Sequence, residues 1–113
     1  MIIKIDGRYL VSTLCKNFKD EFGGTLRVYD GARRCDGSEK VRDLCTKEGG
    51  TYECRGNKSV GMFEKDMKDL FGLKVQVASA DDFILALDYM TIAKVKEIPE
   101  KTTKSQLIKM FKK

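Results

Sequence analysis

MIIKIDGRYLVSTLCKNFKDEFGGTLRVYDG (residues 1–31) and GTYECRGNKSVGMFEKDMKDLFGLKVQVASA (residues 50–80) are the two stretches that decide the fold. They align without a gap at an offset of 49 positions. Gly7 falls on Gly56, Val11 on Val60, Lys16 on Lys65, Lys19 on Lys68, Asp20 on Asp69, Phe22-Gly23 on Phe71-Gly72 and Val28 on Val77, which makes eight identities in 31 pairs. Where the letters differ the apolar frame persists: Leu14 meets Phe63, Phe18 meets Met67, Leu26 meets Val75, and Ile3 and Ile5 meet Tyr52 and Cys54.

Each stretch reads as the same unit. A short strand comes first, at Ile2–Ile5 and Tyr52–Cys54, followed by a glycine turn at Gly7 and Gly56. An amphipathic helix follows. Leu10, Val11, Leu14, Phe18 and Phe22 form its apolar stripe in the first unit, and Val60, Phe63, Met67, Leu70 and Phe71 in the second. This is the spacing of one buried helical face. Both helices end at Phe-Gly, and glycine there takes the left-handed conformation that closes a helix. A second strand with alternating apolar residues follows, at Leu26–Tyr29 and Lys74–Ala78.

Solenoids bury their core by stacking three or more units. Two units therefore predict one compact α+β domain over residues 1–98, made of the units 1–31 and 50–80 with their connectors. The ferredoxin-like split βαβ plan, with an antiparallel sheet carrying both helices on one face, is the favoured arrangement. The alternative is a parallel α/β sheet, because each strand–helix–strand crossover within one sheet is itself parallel. The split plan is shared with RNA-recognition domains, which stack bases on aromatics of their central strands. Ile2-Ile3-Lys4-Ile5 has no aromatic and the matching strand offers only Tyr52, so nothing of that function carries over.

The connectors are less regular. Asp36-Gly37-Ser38-Glu39 has the spacing of a capping box ahead of a short helix reaching Cys45. Phe83–Leu87 is an apolar run that reads as a further strand, and Thr91–Glu97 as a short helix ending before Pro99. Thr102 or Thr103 is placed to cap a last helix.

With 113 residues, 42% apolar and 35% charged, the chain has the balance of a folded domain. No run approaches the roughly 20 apolar residues of a membrane span, and no apolar stretch of signal-peptide length opens the chain. A cytoplasmic location is the expectation, with Cys15, Cys35, Cys45 and Cys54 as free thiols; a Cys35–Cys45 disulfide is the alternative. Cys54 aligns with the core position of Ile5, whereas Cys15 aligns with Glu64 and should face solvent or a neighbouring element. The chain has no histidine, so Ser-His-Asp and Cys-His catalysis are excluded. No cofactor motif is present, because neither Gly23-Gly24 nor Gly49-Gly50 belongs to a phosphate-binding loop.

The net charge of +5 is unevenly placed. Residues 94–113 hold seven lysines and two glutamates, and residues 1–93 hold fifteen basic and fifteen acidic side chains. The whole excess lies in the tail. Residues 99–113 read as a basic amphipathic helix, with Leu107, Ile108, Met110 and Phe111 on one face and Lys104, Lys109, Lys112 and Lys113 mostly off it. The apolar face can pack on the domain with the lysines solvated, the lysines can contact nucleic-acid phosphates, or the helix can dock to an acidic protein groove or a membrane surface.

Two further clusters stand out. Arg33-Arg34 can grip a phosphate or carboxylate, or pair locally with Asp30 and Asp36. Asp81, Asp82 and Asp88, with Asp30 and Asp36, offer oxygens to a hard cation, although turn and cap roles account for them and no calcium-loop spacing is present. No site is assigned to a metal. The expectation is a non-catalytic interaction or regulatory module that binds a protein partner. Candidate contact residues are Arg33, Arg34, Lys104, Lys109, Lys112 and Lys113. The alternative is weak, sequence-indifferent binding of nucleic acid through the tail.

Overall fold

The computed structural model describes residues 1–112. Five strands and three helices appear in the order β1 (Ile2–Ile5), α1 (Val11–Phe22), β2 (Thr25–Asp30), β3 (Arg33–Arg34), β4 (Gly50–Glu53), α2 (Val60–Phe71), β5 (Lys74–Ala78) and α3 (Lys104–Met110). Single 3₁₀ segments lie at Val41–Asp43 and Ile92–Glu97. This is a small mixed α+β globule with two antiparallel sheets.

The helices form where the apolar spacing places them. Val11, Leu14, Phe18 and Phe22 of α1 are buried, as are Val60, Phe63, Met67 and Phe71 of α2. Leu10 and Leu70, the outermost members of the two stripes, are exposed. Each helix ends on a glycine at positive φ, +82° at Gly23 and +67° at Gly72, whose N–H closes the last turn. Ser59 caps α2 by accepting from the Met62 N–H.

The pairing of strands differs from the split βαβ plan. That plan puts four strands in one sheet and sends the second strands of the two units to opposite edges. Here the first strands pair with each other, β1 with β4, and the second strands pair with each other, β2 with β5, with β3 on the far edge of β2. Each helix thus carries the chain from one sheet to the other. No parallel crossover within a sheet arises, and every pairing among the described strands is antiparallel.

The registers centre on residues 49 apart, Ile3 opposite Tyr52 and Arg27 opposite Gln76. Hydrogen bonds beyond the strands recur in pairs. Val11 N–H donates to Glu39 O as Val60 N–H donates to Met90 O. Cys35 N–H donates to Val28 O as Ala86 N–H donates to Val77 O, and Val41 N–H donates to Tyr9 O as Ile92 N–H donates to Lys58 O. The strand and helix partners are offset by 49 and the connector partners by 51. The two extra residues lie between Ala78 and Asp82.

One core joins the helices and every strand except β3, whose Arg33 and Arg34 are exposed. Phe18 stacks on Phe22 with centroids 4.6 Å apart, and both rings pack on Phe63 from α2, at 5.5 and 5.6 Å. Tyr52 closes on Phe63 edge-on. Cys54 is buried and all four cysteines are free. Two connector expectations are corrected. Asp36 does not cap a helix: its carboxylate accepts from Ser38 N–H and Oγ, while Glu39 accepts from Gly37 N–H and from Arg33, and only the 3₁₀ segment at 41–43 follows. Phe83–Leu87 is a loop touching β5 through one bridge, Ala78 to Leu85.

Candidate functional site: the loop after β5 and the C-terminal helix

The loop that follows β5 is built on Ser79, which is fully buried. Its N–H donates to Ile84 O at 2.8 Å and its hydroxyl donates to Asp81 Oδ1 at 2.6 Å. Asp81 also accepts from the Phe83 and Lys101 N–H groups, which ties the loop to the segment before α3. Asp82 sits at φ +60°. Its carboxylate accepts from Arg27 Nε at 2.7 Å and Arg34 at 2.6 Å, and its carbonyl accepts from Arg27 at 2.8 Å. Burial raises the Asp82 pKa, and the two guanidinium hydrogen bonds outweigh it, holding the group below its ordinary value.

This framework turns large apolar side chains outward. Phe83 is 55% exposed and Leu85 and Tyr89 are each 37% exposed. Together with Leu87, Arg27 and Lys104 they line an open groove of about 500 Å³. A smaller groove of about 260 Å³ continues past Tyr89 toward Lys94, Met110 and Lys112.

The last helix, α3, forms the other side of this surface. Thr103 caps it through a full capping box with Gln106, and the neighbouring Thr102 hydroxyl donates instead to Pro99 O. The expected apolar face divides. Leu107 is fully buried and Phe111 packs against the core, while Ile108 and Met110 remain 44% and 47% exposed. Lys104, Lys109 and Lys112 form no ion pair with a described residue, and Lys113 lies outside the described residues.

The arginines are brought elsewhere. Arg33 pairs with Asp30 at 3.6 Å and Glu39 at 3.1 Å, so it is a local ion pair. Arg34 does not pair with Asp36 and instead reaches Asp82, 48 residues on. Of the carboxylates considered for a cation, Asp82 is occupied by two guanidiniums and Asp81 by a hydroxyl and two amides. Among the described residues no group of three metal-ligating side chains converges. No helix there is long and apolar enough to cross a membrane.

Two half-buried positions 49 apart carry different chemistry. The Cys15 thiol contacts Leu26 O at 3.2 Å, and burial pushes its pKa up to about 11, so it is not poised as a thiolate. Glu64 accepts from the Val77 N–H at 3.0 Å. Burial pushes its pKa from 4.5 up to about 7, with Asp88 adding to the rise and the Val77 N–H opposing it. The folded protein therefore binds this proton more tightly than the unfolded chain, and stability falls as pH rises from about 4.5 to about 7. Glu64→Gln keeps the acceptor and removes the charge. It is expected to raise stability above pH 7 by about 1–2 kcal/mol after allowance for solvent screening, and to flatten that part of the profile. Denaturant midpoints of both proteins at pH 4.5 and 8 check this; an unchanged slope with pH would show that Glu64 is not the titrating group.

Sequence reasoning named Lys104, Lys109 and Lys112 but missed Phe83 and Leu85, whose run 83–87 reads as a strand, and Tyr89 just beyond it. The signal available was Asp81-Asp82 ahead of it, a turn pair that breaks strand continuation. No protein-family model matches this chain, and neither a curated protein nor a solved structure matches it.

Proposed function

We propose that the protein is a non-catalytic interaction module, built from two copies of one strand–helix–strand unit, that binds a protein partner through the loop after β5 and α3. The observation that carries this reading is the exposure of Phe83, Leu85, Tyr89, Ile108 and Met110 in two segments that pack together beside unpaired lysines. Large apolar side chains exposed in a group mark contact surfaces in soluble proteins, and aromatic residues and Met are enriched there. The duplicated unit is supported by the registers centred on Ile3–Tyr52 and Arg27–Gln76 and by the recurring connector hydrogen bonds. Affinity capture with the wild-type chain and with Phe83→Ser/Leu85→Ser tests the reading. A protein retained by the first and lost by the second, at equal melting temperature, is the expected outcome. Equal capture by both would remove this face from consideration.

Binding of nucleic acid by the tail is the second reading, favoured by Lys104, Lys109 and Lys112 having no carboxylate partner among the described residues. It predicts anisotropy changes with labelled single- and double-stranded nucleic acid that weaken steeply between about 50 and 200 mM salt. Changing Lys104, Lys109, Lys112 and Lys113 to Gln is then expected to abolish binding, and retained binding would discard the tail. The charge variant is a better probe than truncation at Pro99, because deleting α3 also deletes the buried Leu107.

A further inference from the structure

The chain contains its own control for the exposed loop. Cys35 and Ala86 donate to equivalent strand carbonyls, Tyr29–Arg34 and Ala78–Leu85 are equivalent bridges, and Gly31 and Asp82 share a positive φ of +63° and +60°. The segment 32–38 therefore does in the first half what 83–89 does in the second. The first half fills it with Ala-Arg-Arg-Cys-Asp-Gly-Ser and the second with Phe-Ile-Leu-Ala-Leu-Asp-Tyr. Where the second half has Phe83, Leu85 and Tyr89, the first has Ala32, Arg34 and Ser38. Neither the bridge nor the strand-edge hydrogen bonds require apolar side chains there, and α3 leaves these three exposed.

The charges around this surface are mostly basic, with three lysines against Asp88. Arg27 and Arg34 share the Asp82 carboxylate, and Asp88, exposed and outside every ion pair among the described residues, is the one other carboxylate on the groove wall. Lys104, Lys94 and Lys112 remain along the two grooves that meet at Tyr89, none with a carboxylate partner among the described residues. The surface is concave, which suits an inserted chain segment better than a flat bilayer. We infer that these grooves take a segment of the partner that carries apolar side chains flanked by carboxylates. The inference rests on the interaction reading above and assigns the chemistry of its partner.

The test pans a library of random twelve-residue peptides, displayed on phage, against the full chain. Enriched peptides are expected to combine apolar residues with Asp or Glu. The best of them, made synthetically, should bind at least tenfold more weakly to Phe83→Ala/Tyr89→Ser, which installs the residues of the first half. It should also bind several-fold more weakly to Lys104→Glu/Lys112→Glu and lose affinity with added salt. Both positions 83 and 89 are exposed, so the melting temperature of the first variant should match wild type. Neutral or basic peptides that still depend on Phe83 and Tyr89 would overturn the acidic partner while leaving the interaction face in place. Peptides indifferent to Phe83→Ala/Tyr89→Ser would overturn both. No enrichment, with binding instead to phosphatidylserine vesicles that both variants abolish, would replace the peptide by a membrane surface.

Discussion

Phe18→Ala is expected to destabilise the protein by about 3–5 kcal/mol, and Met67→Ala, at the matching position of α2, by about 2–5 kcal/mol. Phe18 is fully buried and Met67 is 1% exposed. The Phe18 ring packs against both Phe22, at 4.6 Å, and Phe63, at 5.5 Å, so its removal opens a void bounded by two further rings from two helices. Those rings are themselves fully enclosed and cannot all collapse into the space, which sets the cost near the top of the range for Phe18. Met67 is flexible and its neighbours accommodate its loss more easily. Denaturant midpoints for both variants check the expectation. A loss below about 1 kcal/mol at either position would mean that the two helical stripes do not face one shared core.

The helices, their glycine stops and most strand positions were legible in the sequence because each depends on local spacing. A stripe such as Leu14, Phe18 and Phe22 names the buried face, and Phe-Gly names the end, without reference to any distant residue. Strand pairing was not legible. The alternation of Leu26 and Val28 says which face is buried and is silent on which strand lies alongside, so β2 beside β5 fits the pattern no better than β2 at an edge. The likeness of the connectors was invisible for a different reason. Their equivalence resides in main-chain hydrogen bonds, and residues 35–45 and 86–96 share no identity at matched positions.

The candidate site follows the same division. A lysine-rich last helix can be read from composition, and so can its Thr cap. The exposure of Phe83 cannot, because five apolar residues in a row satisfy a buried strand as well as a contact loop. What decides between them is the tether of Ser79 and Asp81 and the pairing of Asp82 with Arg27 and Arg34, contacts that span as many as 55 residues. The aspartates that resemble a cation site in sequence are the residues that hold this loop in shape.

Gly72→Ala is expected to cost about 2–5 kcal/mol, and Gly31→Ala only about 1 kcal/mol, although the two glycines share nearly the same backbone angle, φ +67° and +63°. The left-handed conformation penalises any side chain by a similar amount at both positions. The difference is the surroundings. Nothing lies within 4 Å of a Cβ added at Gly31, whereas a Cβ at Gly72 meets the Thr46 side chain, with its Cβ at 2.9 Å, and the Thr46 main-chain nitrogen, also at 2.9 Å. Relief would require the connector before β4 to move, and Lys47, the next residue, is tied to the end of α2 by its N–H donating to Phe71 O. The Gly31 variant thus measures the dihedral cost alone, and the excess at Gly72 measures how firmly the first connector is held against the second helix. Equal losses would place Thr46 away from Gly72 and leave that connector free of α2; a several-fold larger loss at Gly72 would establish that the two halves are locked together there as well as through their strands.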